Sequence, residues 1–305
     1  MEIMMKDRIN QLKKEKDAVV LAHYYVDGDV QDIADFVGDS YALAKQAALV
    51  SQKNIVFAGV KFMGESAKLL NAGKHVYMVD ATAGCGMADM VTAEQVKRVK
   101  EEYPDAAVVC YVNSSAEVKA VSDVCVTSSN AVKVVKALEA KQIYFIPDQH
   151  LGSFVEAQVP EKEFIYHNGF CPIHKLIDEE SLLKAKETHK EALVLAHPEC
   201  EQAILKHADY IGSTADIIKF ARTNTANEYI IATEIGVLHQ LKKENPAKQF
   251  FVVNDKQVCH DMKKVTLAKL EIILKNIDVQ EEVKLCDDII ESAKKPLEKM
   301  LDLAK

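Results

Sequence analysis

The chain has 305 residues, a formal net charge of −8 and 49% hydrophobic residues, enough apolar material for sizeable buried cores. The acidic balance argues against a nucleic-acid or anionic-membrane binder, since both need a basic surface, so any anionic ligand must be drawn in locally by helix N-termini or a few cations. No apolar run approaches the ~18 residues that span a bilayer, the charged N-terminus lacks a signal-peptide core, and seven cysteines without scaffold spacing fit a reducing cytoplasm.

Residues 4–16 read as an amphipathic helix leading into an apolar strand that ends on His23. A turn at 27–29 precedes helical spacing, and Gly38, Asp39 and Ser40 open a second helix. Strands follow at 54–59 and 76–79, with a helix at 63–70 between them and a turn running to Cys85. The order returns with strands at 108–112, 142–146 and 163–166 before Cys171, and again at 193–197, 228–233 and 249–253 before Cys259. Residues 262–305 read as closing helices that pack on the first unit.

The repeat is written in the offsets. His23, Tyr111 and His197 are separated by 88 and 86 residues, as are Asp35, Asp123 and Asp209, and Ser40, Ser128 and Thr214. Cys85, Cys171 and Cys259 follow at 86 and 88. A triplicated unit near 87 residues accounts for all four sets. The strands are continuous apolar runs alternating with helices, the pattern of parallel strands covered on both faces. The expected fold is α/β: three pseudo-threefold-related three-layer α/β/α units with short parallel sheets, over 1–86, 87–172 and 173–261, with the active site at their common centre.

In such sheets ligands bind off the carboxyl ends of the strands. That places His23, Tyr111 and His197 at the centre, with Ser40, Ser128 and Thr214 at helix starts, as N-caps would sit. Cys110, Cys125 and Cys286 read as small core residues, and Cys200 as a structural residue bordering the site. Cys85, Cys171 and Cys259 differ: they lie in turn-rich loops (AGCG, NGFCP, KQVCH) at repeat-equivalent positions, and read as metal ligands. A structural zinc takes four ligands, and a catalytic zinc more often recruits histidine or carboxylate. Three thiolates suit a [4Fe–4S] cluster with one iron left open as a Lewis acid.

The segments VQDIADFVGDS, YVNSSAEVKAVSD, TSSNAVKVV, PDQHLG, GFCPIH, AHPEC, GST, TEIGVLHQL and CHDMKKVTL, in this order, give the chain a resemblance to the quinolinate synthase family from about residue 18 to residue 270. The resemblance implies a transferase of NAD biosynthesis that condenses iminosuccinate with dihydroxyacetone phosphate to quinolinate, phosphate and water. It implies a [4Fe–4S] cluster on Cys85, Cys171 and Cys259, and a dicarboxylate bound by His23, Ser40, Tyr111, Val112, Asn113, Ser128, His197, Pro198, Glu199 and Thr214. Within it, Ser213 joins the hydroxyls as an anion donor, Glu199 is the general base, and Tyr25 and Tyr111 pass protons beside His23 and His197. An aspartate oxidase or dehydrogenase would be the functional partner that supplies iminosuccinate. Another [4Fe–4S] dehydratase, or a non-catalytic iron–sulfur sensor, is the alternative. The chain departs from the family at Tyr24 and Val26, where Asn and Gln are usual, and at Gly86. It has Cys259 alone where some members carry Cys-x-x-Cys-x-x-Cys, which excludes a dithiol switch there.

Overall fold

Runs such as AVVLAH, apolar at every position, have no polar face to turn to water, and they occupy the middle of parallel sheets. The computed structural model describes residues 2–305. The first sheet contains β1 (Ala18–His23), β2 (Phe36–Gly38), β3 (Asn54–Ala58) and β4 (His75–Met78), in the order β2-β1-β3-β4. The second, β5 (Ala107–Tyr111), β6 (Val124–Val126), β7 (Gln142–Ile146) and β8 (Glu163–Tyr166), and the third, β9 (Leu193–Ala196), β10 (Tyr210–Ile211), β11 (Glu228–Ala232) and β12 (Gln249–Val252), repeat that order. All pairings are parallel. The fold is therefore α/β with three α/β/α units. Each sheet has four strands where the sequence suggests three well-formed ones, because β2, β6 and β10 are edge strands too short to show a period.

The conserved spacing of Asp35, Asp123 and Asp209 has a structural cause. Each carboxylate accepts the amide of the first strand's core residue, Val20 at 2.8 Å, Val108 at 2.7 Å and Val194 at 2.7 Å. Each aspartate's own amide donates back to the same residue's carbonyl at 2.9–3.0 Å. Lys13 and Lys100 complete the clasp at 2.9 Å from Asp35 and Asp123. In the third unit Lys186 reaches only the His207 carbonyl, at 3.4 Å. These aspartates sew each short edge strand to its neighbour and lie away from the chemistry.

One continuous apolar core runs through the first two units and the C-terminal helices. In the third unit, alternation along the strands splits the core between the two sheet faces: Val194, Ala196 and Ile230 on one, Leu195, Tyr229 and Ile231 on the other. Helix Leu267–Lys275 packs on helix Glu2–Glu15, while helix Asp287–Leu303 lies across helix Lys61–Leu70 of the first unit and Ala116–Ala120 of the second. Cys286 is a correction: it is exposed at the N-cap of that last helix, outside the core. Cys110, Cys125 and Cys200 are fully buried.

The Asp123 clasp yields a stability test. Asp123→Ala leaves the Val108 amide without its side-chain acceptor and should cost about 1–3 kcal/mol in urea unfolding. A loss below about 0.5 kcal/mol would contradict the role assigned to it.

Candidate active site

The strand order reverses beside β1, β5 and β9, and their carboxyl ends open on one cavity of about 210 Å³ lined by residues from all three units. Each first strand breaks into a tight turn or bend at its carboxyl end, and each unit contributes a pair there: His23 with Tyr25, Tyr111 with Asn113, His197 with Glu199. Val112 and Pro198, between the members of their pairs, do not line the cavity, and the Val112 amide is taken by the Val126 carbonyl.

The pair geometry fixes tautomers. His23 Nδ1 accepts the Tyr25 amide at 3.2 Å, and His197 Nδ1 accepts the Glu199 amide at 3.3 Å. An accepting Nδ1 leaves Nε2 as the protonated nitrogen in the neutral ring, and His197 Nε2 lies 3.2 Å from Ser128 Oγ. Burial pushes both rings down to a pKa of about 3; His197 adds to the effect at His23 and His174 adds to it at His197, while Glu199 opposes it in both.

Glu199 is the electrostatic centre. Tyr111 donates to its Oε1 at 2.5 Å, and His174 Nδ1 stands 2.7 Å from its Oε2. Burial opposes ionisation, but His174, His197 and these contacts outweigh it and hold the carboxyl well below the usual carboxylate range. Tyr25 and Tyr111 are pushed the other way, far above an ordinary phenol, by burial first and then by the Glu199 charge. His174 Nε2 continues to Thr233 Oγ1 at 2.9 Å, and Tyr25 Oη bridges Thr233 and Thr214 at 2.8 and 2.9 Å. An ionised carboxylate is thus joined through one side-chain chain to a protonated tyrosine across the cavity.

The three cysteine loops are anchored alike. Lys61, Gln149 and Ile235, each at a helix entry after the third strand in the chain order of its unit, donate their amides to the carbonyls of Ala83, Gly169 and Gln257 at 2.8, 2.9 and 3.0 Å. Each acceptor is two residues before a cysteine. After each cysteine the chain makes a helical turn, closed by Asp89 N to Cys85 O, Lys175 N to Cys171 O and Lys263 N to Cys259 O at 3.0–3.2 Å. The sulfurs consequently face backbone N–H groups: Ala88 and Met87 for Cys85, His174 for Cys171, Met262 and Asp261 for Cys259. Such positions favour thiolate. Burial works against it, pushing the Cys85 thiol up to about 12, the Cys259 thiol to about 11 and the Cys171 thiol well up too. A cation is what shifts that balance, because metal ligation displaces the thiol proton. Three half-buried thiols from three units therefore fit a metal–sulfur group, and Cys171, His174 and Glu199 also bring ligand atoms within 4.8 Å of one another, a set that could hold a metal ion.

Ser40, Ser128 and Thr214 all line the cavity, but none is an N-cap. Asp39 caps helix Ser40–Leu49 through the Ala42 amide, and Ser213 caps helix Thr214–Thr223 through the Asp216 amide. Asn130 stands at the N-cap of helix Ala131–Ala137. Capping one residue earlier leaves the Ser40 and Thr214 hydroxyls out of the helix caps and beside the cavity, Thr214 bonded to Tyr25; Ser213 itself is fully buried and does not line it. Two cavity oxygens, Asn113 Oδ1 and Thr127 Oγ1, are buried without a partner, as atoms awaiting a ligand would be. Sequence reading passed over His174 and Glu234. The Cys171-x-x-His174 spacing and the 86-residue offset between Asp148 and Glu234 were the available signals. Gly86 presents no steric demand beyond ordinary contact: a Cβ there would meet Pro172 at 3.4 Å, where the first two cysteine loops touch.

A sequence profile of the family described as quinolinate synthetase A protein matches residues 7–302. The chain is 51% identical over 300 residues to the quinolinate synthase of Fusobacterium nucleatum, covering 98% of this chain and 99% of that protein. It is 50% identical over 301 residues to that of Sulfurihydrogenibium sp., covering 98% of both, and 47% identical to that of Aquifex aeolicus. No helix among the described residues is long and apolar enough to cross a membrane.

The buried histidines generate a pH test. Their folded pKa of about 3 lies below the unfolded value of 6.5, so the unfolded state binds more protons in that window. Stability is complete above it and falls as pH drops through it. His197→Gln should therefore flatten the loss of metal-free protein stability between pH 7 and pH 5 by about 2 kcal/mol. Parallel pH profiles for the variant and the parent in urea unfolding would contradict the assignment.

Proposed function

The chain belongs to the quinolinate synthase family, and from that premise we propose that it condenses iminosuccinate with dihydroxyacetone phosphate, releasing quinolinate, phosphate and water, as a transferase of NAD biosynthesis. The observation that carries the reading is the meeting, in one cavity, of three cysteines at helical-turn starts and an ionised, tyrosine-bonded Glu199. Cys85, Cys171 and Cys259 would hold a [4Fe–4S] cluster. When bound, that cluster would supply an open iron with Lewis acidity toward a substrate oxygen or nitrogen.

The remaining work belongs to the chain's own groups. No lysine or arginine is among the described residues lining the cavity, so substrate carboxylates must be met by neutral donors. His23 Nε2–H, His197 Nε2–H and the hydroxyls of Ser40, Ser128 and Thr214 are suited to that task, and Asn113 offers its amide. Val112, Pro198 and Ser213 would act only by shaping the backbone around these groups. Glu199, the ionised carboxylate among the cavity-lining side chains, would take the proton from the carbon that becomes nucleophilic. Tyr111 holds its own proton and stabilises that carboxylate. Tyr25, fixed by Thr214 and Thr233, donates where a hydroxyl must leave as water. Iminosuccinate is a hydrolysable imine, which favours supply by an aspartate oxidase or dehydrogenase close at hand.

Cys171→Ala should abolish both the brown absorbance near ~400 nm of anaerobically purified protein and quinolinate formation; a colourless variant with full activity would sink the reading. Glu199→Gln should keep the colour and lose turnover by about 10²–10⁴-fold. A variant retaining most of its activity would remove Glu199 from the base role.

A further inference from the structure

Glu234 stands at the end of β11, is 1% exposed, and has no place in the proton chain described above. Its Oε1 accepts the Cys259 amide at 3.1 Å and its Oε2 accepts the Gly236 amide at 2.6 Å. The Lys263 ammonium lies 3.4 Å from Oε1 and donates to the Tyr25 carbonyl at 2.8 Å. Burial pushes the Glu234 carboxyl up, while Lys263 and the two amide donors oppose that shift and favour its charged form. The same carboxylate therefore fixes the backbone of one cysteine and, through Lys263, the loop that carries Tyr25.

The repeat shows that this is a placed feature. The second-unit counterpart, 86 residues earlier, is Asp148, fully buried below the Cys171 loop, where it accepts the His150 and Leu151 amides at 2.8 and 2.9 Å. The first-unit counterpart is Val60, and there the carboxylate comes from elsewhere: Asp261 accepts the Gly84 amide at 3.2 Å and pairs with Lys264 at 2.7 Å. The contact between a cysteine's own amide and a buried carboxylate recurs in two of the three loops, Cys171 with Asp148 and Cys259 with Glu234, the latter at 3.1 Å.

We propose that Glu234 is a positioning residue for Cys259, setting the direction of that thiolate toward the cluster through the cysteine's backbone amide. The proposal rests on the cluster reading for its consequence, though not for its geometry. An amide in place of the carboxylate would turn an N–H toward one of two N–H groups, so Glu234→Gln must lose one of the two bonds. Partners of this kind are worth about 10–100-fold in metal retention.

The experiment uses full-length protein isolated anaerobically and measures three things: iron release to excess chelator, the cluster midpoint potential, and amide deuterium exchange across residues 257–262. E234Q should release iron about 10–100-fold faster, exchange faster in that segment, and show a more positive potential, because a buried negative charge is gone. E234D keeps the charge and loses the reach, so its release and exchange should rise while its potential stays near that of the parent; it also serves if E234Q does not fold. E65Q removes an equally buried carboxylate that caps Ala116 and should match the parent throughout. Parent-like exchange in E234Q, or the same changes in E65Q, would overturn the proposal. If the parent protein holds no iron and sulfide, the cluster reading fails, and exchange in the metal-free chain still decides the role of Glu234.

Discussion

The site depends on one backbone bond made three times. Lys61 to Ala83, Gln149 to Gly169 and Ile235 to Gln257 each tie the loop after an edge strand to the helix entry after its neighbouring strand. A loop closed in this way is tied to the carboxyl end of its sheet by main chain, and buried carboxylates then set the backbone around the cysteines. Side-chain identity is then released for chemistry. The same economy appears in the clasps of Asp35, Asp123 and Asp209, which hold the short edge strands without taking part in the site.

On that threefold frame the chemistry is deliberately unequal. The strand-end positions carry histidine, tyrosine and histidine, and their i+2 partners carry tyrosine, asparagine and glutamate. Only one of these six, Glu199, is held ionised, and its carboxylate is met by Tyr111 and His174. Burial keeps both cavity histidines neutral and both tyrosines protonated. The result is one base facing several neutral donors, an arrangement able to bind dicarboxylates without a lysine or arginine and to move protons in a defined direction.

Much of this was legible in the residues. The constant offsets of 88 and 86 exposed the three units and placed Cys85, Cys171 and Cys259 at equivalent positions before any coordinates. The apolar strand runs gave parallel sheets. What could not be read was local. β2, β6 and β10 are two or three residues long and leave no periodicity. The helix caps fall on Asp39 and Ser213, one residue before the hydroxyls that the offsets marked, because capping and cavity-facing positions are adjacent in a chain entering a helix. His174 belongs to a four-residue helix whose start is visible only as Cys171-Pro172, and its meeting with Glu199 depends on how that helix packs against the turn after β9. Cys286 lies within an amphipathic stretch, but its place at the helix N-cap puts it in solvent.

The central claim is that three cysteines, one from each unit, hold a four-iron cluster over the Glu199 cavity. Iron and acid-labile sulfide analysis of anaerobically isolated protein tests it most directly. The expected result is about four irons and four sulfides per chain, falling sharply in Cys85→Ser, Cys171→Ser and Cys259→Ser alike. A single zinc per chain without sulfide, or full iron and sulfide in any one of the three variants, would contradict it.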